Sequence, residues 1–274
     1  TGYGKGRTIA AMILDSINKG HGNGKAIWLS KNENAHYDSK DYWKEIGGDE
    51  KKIIKKVKAK QQINHTEGVL LATYGTLSNK YEANENERVG YWHEETPQSR
   101  IQQIVQWLGK DYDGIIVFDE AHLMGNAIQT KAERGTKKPS QRALAGVALQ
   151  DLLPNAKFVY SSATGATEVM NLAYATRLGL WGDGTAFDSV HSFINTIDSS
   201  GVAGMELVSR DLKAMGLYTA KSLSFDGVKY ETLQHKLYPE QKDLYNKVAK
   251  AWQLVLQNIN DAIEANNTST KKRT

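Results

Sequence analysis

The chain has 274 residues, of which 40% are hydrophobic and 24% charged, enough for one large α/β domain or one domain and part of another. The absence of cysteine excludes disulfides, thiolate metal sites and cysteine nucleophiles, and it fits a reducing compartment. No apolar run approaches the roughly 20 residues of a membrane-spanning helix, so no membrane partner is expected. A formal net charge of +4 permits a nucleic-acid partner without requiring one.

Short apolar runs separated by amphipathic stretches predict alternating strands and helices. The runs are almost continuously apolar, as in strands buried on both faces of a parallel sheet, and they cover residues 26–30, 69–74, 114–119 and 157–162. Helices are predicted over residues 8–18, 99–108 and 237–265, where apolar residues recur on one stripe. The alternation predicts an α/β fold with a mostly parallel sheet flanked by helices. The polar segments 81–97 and 125–141 are predicted to be long loops.

A glycine-rich segment, Gly2-x-Gly4-Lys5, stands directly before the first predicted helix. Glycines let backbone N–H groups turn around a phosphate, the helix N-terminus adds partial positive charge, and Lys5 would reach the β- and γ-phosphates. In the usual G-x-x-x-x-G-K-[ST] pattern the first glycine would precede Thr1, and Gly6 stands where Ser or Thr is expected. A plain glycine-rich turn, or a dinucleotide-binding loop with a chance lysine, remains open on this loop alone.

A buried strand ends in two adjacent carboxylates, within Asp119-Glu120-Ala121-His122. In P-loop ATPases the Asp at the strand end holds Mg²⁺ and the following Glu polarises the attacking water. Both side chains leave the same strand tip, so they can serve one phosphate. A strand that ends at an ordinary charged turn is the alternative, and the pairing with Lys5 favours the ATPase interpretation.

The next strand runs into Ser162-Ala163-Thr164, whose small hydroxyl side chains can bond the carboxylates and sense the γ-phosphate. Alone, this tripeptide would be an ordinary strand-to-loop junction. In order after Gly-Lys and Asp-Glu-Ala-His, it is the third element expected of a superfamily 2 helicase motor.

Two further strand ends lie on the same side of the predicted sheet, at Ser30-Lys31 and at Thr73-Tyr74. In helicase motors such positions contact the nucleic-acid backbone, and plain loop starts are the alternative. The lysine-rich segment 51–60 could bind phosphates, although its interleaved apolar residues favour a solvated amphipathic face.

These segments together resemble the Strawberry notch family of helicase-like proteins. The likeness is carried by residues 1–10, 67–74, 113–122, 160–166, 171–174, 177–182, 204–206 and 223–228. It covers nearly the whole chain and is weakest over 81–92 and beyond residue 265. The loop over 125–141 is similar to bacterial members, which occur on phages and plasmids.

The resemblance implies an ATP-driven motor on nucleic acid, with DNA expected, as part of a large mobile-element protein in the cytoplasm of a bacterial or phage-infected cell. It implies ATP and Mg²⁺ as cofactors, with Lys5 and Glu120 catalytic and Asp119 as the Mg²⁺ ligand. The remaining site residues fall into a phosphate-binding group and a coupling group: Gly2, Gly4, Lys5, Gly6, Arg7 and Thr8, then His122, Ser162, Ala163 and Thr164. Gly6-Arg7 is normal for the family, and Thr8 is a candidate substitute for the missing hydroxyl.

The resemblance also predicts a division of the chain. Residues 1–178 would be a first RecA-like ATPase domain whose N-terminal strand lies upstream, 179–234 an accessory segment, and 235–274 a helical connection. That connection would lead to a second RecA-like domain in the parent chain, which normally supplies an arginine to the γ-phosphate, so this chain alone is expected to be nearly inactive. A nucleotide-dependent regulatory or interaction module without unwinding is the alternative. A nicotinamide-dependent oxidoreductase is disfavoured by Lys5 and Asp119-Glu120.

Overall fold

The computed structural model describes residues 4–54, 63–78, 99–131, 136–162, 169–220, 227, 229 and 231–271. The strands are β1 (Lys25–Ser30), β2 (Ile53–Ile54), β3 (Gly68–Thr73), β4 (Ile115–Asp119), β5 (Thr130–Lys131), β6 (Thr136–Lys137) and β7 (Lys157–Ser161). The helices are α1 (Lys5–Asn18), α2 (Ala35–Glu45), α3 (Tyr74–Leu77), α4 (Arg100–Leu108), α5 (Gln141–Leu152), α6 (Val190–Ser199), α7 (Gly201–Ala214) and α8 (Pro239–Lys271). Internal contacts divide the chain into two units, Thr1–Lys221 and Ser222–Thr274.

The first unit is built on a five-stranded sheet in the order β2-β3-β1-β4-β7, in which every neighbouring pair is parallel. Its strands are apolar on both faces because helices cover both. Along β1, Ala26 and Trp28 pack with residues of α1 and α2, whereas Ile27 and Leu29 pack with residues of α4 and α5. The predicted α/β fold of the RecA-like P-loop type is therefore confirmed.

Most predicted boundaries differ from the observed ones by a few residues, and the differences at β3 and in the segment 125–141 bear on the site. Strand β3 ends at Thr73, one residue earlier than predicted, because the Thr73 hydroxyl accepts a hydrogen bond from Thr76 N (3.1 Å) and caps α3, so Tyr74 is helical. The predicted loop over 125–141 contains the antiparallel pair β5–β6, and α5 begins at Gln141. The predicted loop over 81–97 lies outside the described residues.

The first unit extends past the predicted end of the ATPase domain at residue 178. The reason is aromatic packing: Phe193 of α6 is buried in the same apolar cluster as β4 and contacts Trp181 and Phe187, with ring centroids 5.5 Å and 5.3 Å away. The observed division follows Lys221 instead. Within the described residues, no strand pairs with the outer edge of β7. The upstream strand stays a prediction.

The second unit contains α8, which begins at Pro239, close to the predicted start, and runs to Lys271. Its apolar stripe includes Leu244, Val248, Trp252 and Ile259, all exposed within the chain. Within the described ranges, no helix combines the length and apolar character that crossing a bilayer requires.

A buried amide joins α5 to β7 near the end of the sheet that carries the motifs. Gln150 is 0% exposed, and its Nε2 donates to the carbonyl oxygens of Gly146 (3.0 Å) and Tyr174 (2.8 Å). Its Oε1 accepts from the hydroxyls of Tyr160 and Thr176. Every polar atom of this side chain is thus bonded, which fixes β7 against α5.

We expect Gln150→Leu to lower the free energy of unfolding by at least about 2 kcal/mol, because buried hydroxyl and carbonyl groups lose their partner. Urea unfolding measures this. Gln141→Leu, at an exposed position of the same helix, is the matched control and should change stability by no more than about 0.5 kcal/mol. Equal effects of the two substitutions would contradict this account of the amide.

Helix α2 packs on the first turn of α1 through an aromatic ring that requires a glycine. A Cβ atom added at Gly6 would lie 2.0 Å from Tyr42 Cδ2. The Arg7 guanidinium lies over the same ring, 5.6 Å from its centroid, and Arg7 Nε pairs with Glu45 Oε2 at 2.6 Å. Close packing therefore explains why position 6 has no side chain.

Whether Gly6→Ala raises or lowers the free energy of unfolding should depend on the residue at position 42. In the native background the new methyl group displaces the ring, and we expect a loss of about 1–3 kcal/mol in the free energy of unfolding. In a Tyr42→Ala background the space is open, and the same change should stabilise the helix by about 0.5–1 kcal/mol. A double-mutant cycle by chemical unfolding tests both, and the same sign in both backgrounds would refute the packing explanation.

Candidate active site

The N-terminus of α1 is arranged to receive an anion. Gly4 precedes the helix with φ 72° and ψ 17°, a left-handed conformation that favours glycine. Among the described residues no side chain caps the helix, and its first turn holds no acidic residue, so the first N–H groups and the positive end of the helix dipole can receive an anion. Gly2, the other predicted loop glycine, lies outside the described residues.

Lys5 meets both carboxylates of the Asp119-Glu120 pair. Its Nζ lies 3.0 Å from Asp119 Oδ1 and donates a hydrogen bond to Glu120 Oε1. Burial alone would lower the pKa of Lys5. The hydrogen bonds and negative charges of Glu120 and Asp119 have the larger combined effect, so the pKa of Lys5 lies above its ordinary value. Lys5 is therefore a fixed cation at neutral pH. The predicted catalytic lysine, metal ligand and base come together in one place.

Glu120 has an unusual backbone. Its φ of 53° and ψ of 46° lie in the left-handed region, which non-glycine residues rarely adopt, and its N–H donates to Asp119 Oδ1 at 3.0 Å. The chain turns sharply here, from the end of β4 into a 3₁₀ turn over Ala121–Met124. The turn projects Asp119 and Glu120 toward the same lysine. Strain of this kind is concentrated at functional sites in proteins.

His122 links this turn to the end of the neighbouring strand. Its Nδ1 lies 3.3 Å from Glu120 Oε2 and 2.9 Å from Ser162 Oγ. Two of the residues predicted to couple nucleotide state to movement, His122 and Ser162, are thus in contact with each other, and His122 is also in contact with the predicted base. Ala163 and Thr164, the other two, lie outside the described residues.

The donor set fits Mg²⁺ held in the manner of nucleotide enzymes. Asp119 and Glu120 offer hard carboxylate oxygens, and Mg²⁺ commonly binds one or two carboxylates together with waters and substrate phosphates. No cluster of three or more His, Cys, Asp or Glu side chains suited to a metal occurs within the described ranges. Gly6 offers no hydroxyl, and the Thr8 hydroxyl donates to Gly4 O at 3.2 Å. Among the described residues at this turn, the carboxylates of Asp119 and Glu120 are thus the groups that could hold Mg²⁺.

Of the predicted phosphate-binding residues, Arg7 is engaged elsewhere. Its guanidinium pairs with Glu45 and lies over Tyr42, on the side of α2. Tyr42 and Glu45 were not foreseen from the sequence, because they lie more than thirty residues from the glycine loop and belong to no motif. Only the fold brings them to this turn.

The candidate nucleic-acid residues divide by exposure. Ser30 and Tyr74 are each 1% exposed, so a direct contact by either residue with a nucleic acid would require the covering helix or turn to move, and it stays a prediction. They are buried because each stands where a strand end is covered by the following helix or turn. Lys31 is exposed and Thr73 is partly exposed, and their contact with a nucleic acid stays a prediction. The segment 55–60 of the lysine-rich stretch lies outside the described residues.

Comparison with known proteins agrees with this geometry. The family described as P-loop containing NTP hydrolase pore-1 matches residues 1–247. Protein strawberry notch homolog of Caenorhabditis elegans is 36% identical over 270 residues, covering 96% of this chain and 14% of the relative. Protein strawberry notch homolog 1 of Homo sapiens is 35% identical over 272 residues, covering 96% of this chain and 18% of the relative. Protein FORGETTER 1 of Arabidopsis thaliana is 36% identical over 258 residues, covering 92% of this chain and 18% of the relative.

The chain thus spans less than a fifth of the length of these three relatives, all of them eukaryotic. No solved structure matches. The family match includes the glycine loop, the Asp119-Glu120 pair and the strand that ends at Ser161. On this match and on the geometry of the site, the chain belongs to the P-loop containing NTP hydrolase pore-1 family and is related to the Strawberry notch proteins.

Proposed function

We propose that this chain is the ATP-hydrolysing domain of a nucleic-acid motor of the superfamily 2 helicase type. The observation that carries the proposal is the meeting of Lys5, Asp119 and Glu120 beside the N-terminus of α1, with His122 joining them to Ser162. A cation, a metal-binding carboxylate and a second carboxylate for water activation are what phosphoanhydride hydrolysis requires.

In the proposed mechanism, the phosphates of ATP bind at the N-terminus of α1, where the first-turn N–H groups donate to them. Lys5 exchanges its carboxylate partners for oxygens of the β- and γ-phosphates, which frees Glu120. Mg²⁺ supplies electrostatic stabilisation of the charge that develops on the phosphates when it is bound. Asp119 would hold this ion at the end of β4.

Glu120 then orients the attacking water and accepts its proton as the new bond from water oxygen to the γ-phosphorus forms. The bond between the γ-phosphorus and the β–γ bridging oxygen breaks at the same time, and ADP and phosphate leave. The contact of His122 with both Glu120 and Ser162 supports a role in reporting this change to the following strand. Closure of the site falls to a second RecA-like domain of the parent chain, whose arginine would approach the γ-phosphate. Without it we expect slow turnover, since such an arginine contributes about 10³–10⁵ in rate in related enzymes.

Nucleic acid, with DNA foremost, is the proposed partner, along the edge that carries Lys31 and Thr73. The unwinding of strands, as distinct from tracking along them, is part of the same proposal. The setting in a bacterial or phage mobile element rests only on the loop over 125–141, and the similar proteins identified are eukaryotic.

The test compares two substitutions in the parent protein. Glu120→Gln keeps the shape of the site, and we expect ATP to bind with turnover lowered by about 10²–10⁴-fold. Lys5→Ala removes a phosphate contact, so it should weaken ATP binding as well as turnover. Binding of a fluorescent ATP analogue and phosphate release with and without DNA measure both. Asp111→Asn, an exposed carboxylate before the same strand, is the control and should change turnover by less than about twofold.

Near-normal turnover in Glu120→Gln would remove the assignment of Glu120 as the base. Nucleotide binding without hydrolysis in the native parent protein would favour a regulatory or interaction module instead. Hydrolysis that DNA and RNA both leave unchanged would remove nucleic acid as the partner while leaving the hydrolase assignment intact.

A further inference from the structure

Tyr74 reaches from the junction of β3 and α3 to the end of β4. It begins α3, and its hydroxyl donates to the main-chain carbonyl oxygen of Asp119 at 2.8 Å. Strand β1 lies between β3 and β4 in the sheet, so this bond reaches over one strand to the next. The ring stacks on Phe118, with centroids 6.3 Å apart and planes 23° apart. Burial raises the pKa of Tyr74 far above its ordinary value, so its hydroxyl remains a donor at any physiological pH.

The carbonyl that Tyr74 holds belongs to the peptide between Asp119 and Glu120. The N–H of the same peptide donates to Asp119 Oδ1, so both polar groups of this peptide are bonded. The peptide precedes the left-handed backbone of Glu120. Its orientation decides where both carboxylates point, because one side chain lies on each side of it.

The other end of this connection lies at the surface. Thr73 directly precedes Tyr74 and is partly exposed, and its hydroxyl caps α3 by accepting from Thr76 N. A ligand that displaces the main chain at Thr73 therefore displaces the start of α3 and the Tyr74 ring with it. The ring is 1% exposed and packed against Phe118, so it cannot absorb the displacement by moving into solvent.

We propose that Tyr74 is a positioning residue whose hydroxyl holds the Asp119–Glu120 peptide and carries to it the displacement of the β3–α3 junction when nucleic acid binds there. The transmission of the displacement rests on the proposed function, because it requires hydrolysis that nucleic acid stimulates. The holding of the peptide concerns only this chain.

Tyr74→Phe in the parent protein removes the hydroxyl and keeps the stacked ring. Tyr112→Phe is the matched control, because its buried hydroxyl also donates to main-chain carbonyl oxygens, of Lys25 (2.9 Å) and Ile115 (3.1 Å), at the opposite end of β4. Hydrogen–deuterium exchange over residues 119–124 reports on the peptide and excludes the Ile115–Ile116 peptide that Tyr112 bonds. We expect Tyr74→Phe to speed exchange there by about three- to tenfold, the size of one lost hydrogen bond, and Tyr112→Phe to leave it unchanged.

Hydrolysis gives the second readout. In Tyr74→Phe the DNA-stimulated kcat should fall by about three- to tenfold, while the KM for ATP and the Kd for DNA stay within about twofold of the native values. Unchanged exchange, or an equal loss of kcat in Tyr112→Phe, would overturn the positioning role. If Tyr74→Phe exchanged faster but kept the full stimulation of kcat by DNA, the proposal that Tyr74 transmits the displacement would be wrong. A native parent protein that does not hydrolyse ATP would defeat the proposed function instead, and the exchange comparison would still decide whether Tyr74 holds the peptide.

Discussion

The attraction between Lys5 and the Asp119-Glu120 pair joins residues that are 115 positions apart in the chain. It forms only because two separate elements deliver their ends to the same place. Helix α1 is oriented by Ile9 and Ile13, which are buried against one face of the sheet. Strand β4 is held in parallel register between β1 and β7, so its carboxyl end lies level with theirs. The apolar packing sets the position, and the charges then meet within it.

A second constraint acts at the first turn of α1. Arg7 and Gly6 are both held by α2, which follows β1 and the exposed Lys31. The glycine loop and the end of β1 are therefore mechanically joined through a helix. On the opposite face, α3 and Phe118 connect the end of β3 to β4 through Tyr74. Helices on both sides of the sheet thus link its edge to the turn that carries Glu120.

Short-range signals predicted four strands of the central sheet and the helices α1, α4 and α8. The buried strands are continuous apolar runs, and α4 starts at Ser99 with a capping box formed with Gln102, which is a local pattern. The motif residues were found because their chemistry depends on neighbours in the sequence. The strand β2 and the helices α2, α3, α5, α6 and α7 were not predicted. The strands β5 and β6 were missed because each has only two residues and neither is apolar. The end of the ATPase domain at residue 178 stays a prediction, because an amphipathic helix such as α6 does not reveal from its sequence which surface it covers.

The rest of the site depends on contacts between distant segments. The residues next to Gly6 in the sequence do not predict its contact with Tyr42. Those next to Tyr74 do not predict its hydrogen bond to the carbonyl oxygen of Asp119. Tyr74 was assigned to a nucleic-acid contact because it follows a strand end, and its burial depends on how α3 turns over the sheet. Side-chain contacts of this kind follow from tertiary packing, which composition and periodicity do not encode.

The left-handed backbone at Glu120 bears on how this chain can change over evolutionary time. A glutamate in that region is strained by about 1–3 kcal/mol, whereas glycine or asparagine adopts it readily. Replacement by either residue would relax the turn and also release a carboxylate from the neighbourhood of Asp119. Substitutions at position 120 that increase the stability of the fold would therefore remove the acidic side chain. Its retention would require continuing selection on what the carboxylate does, against a standing thermodynamic preference for losing it.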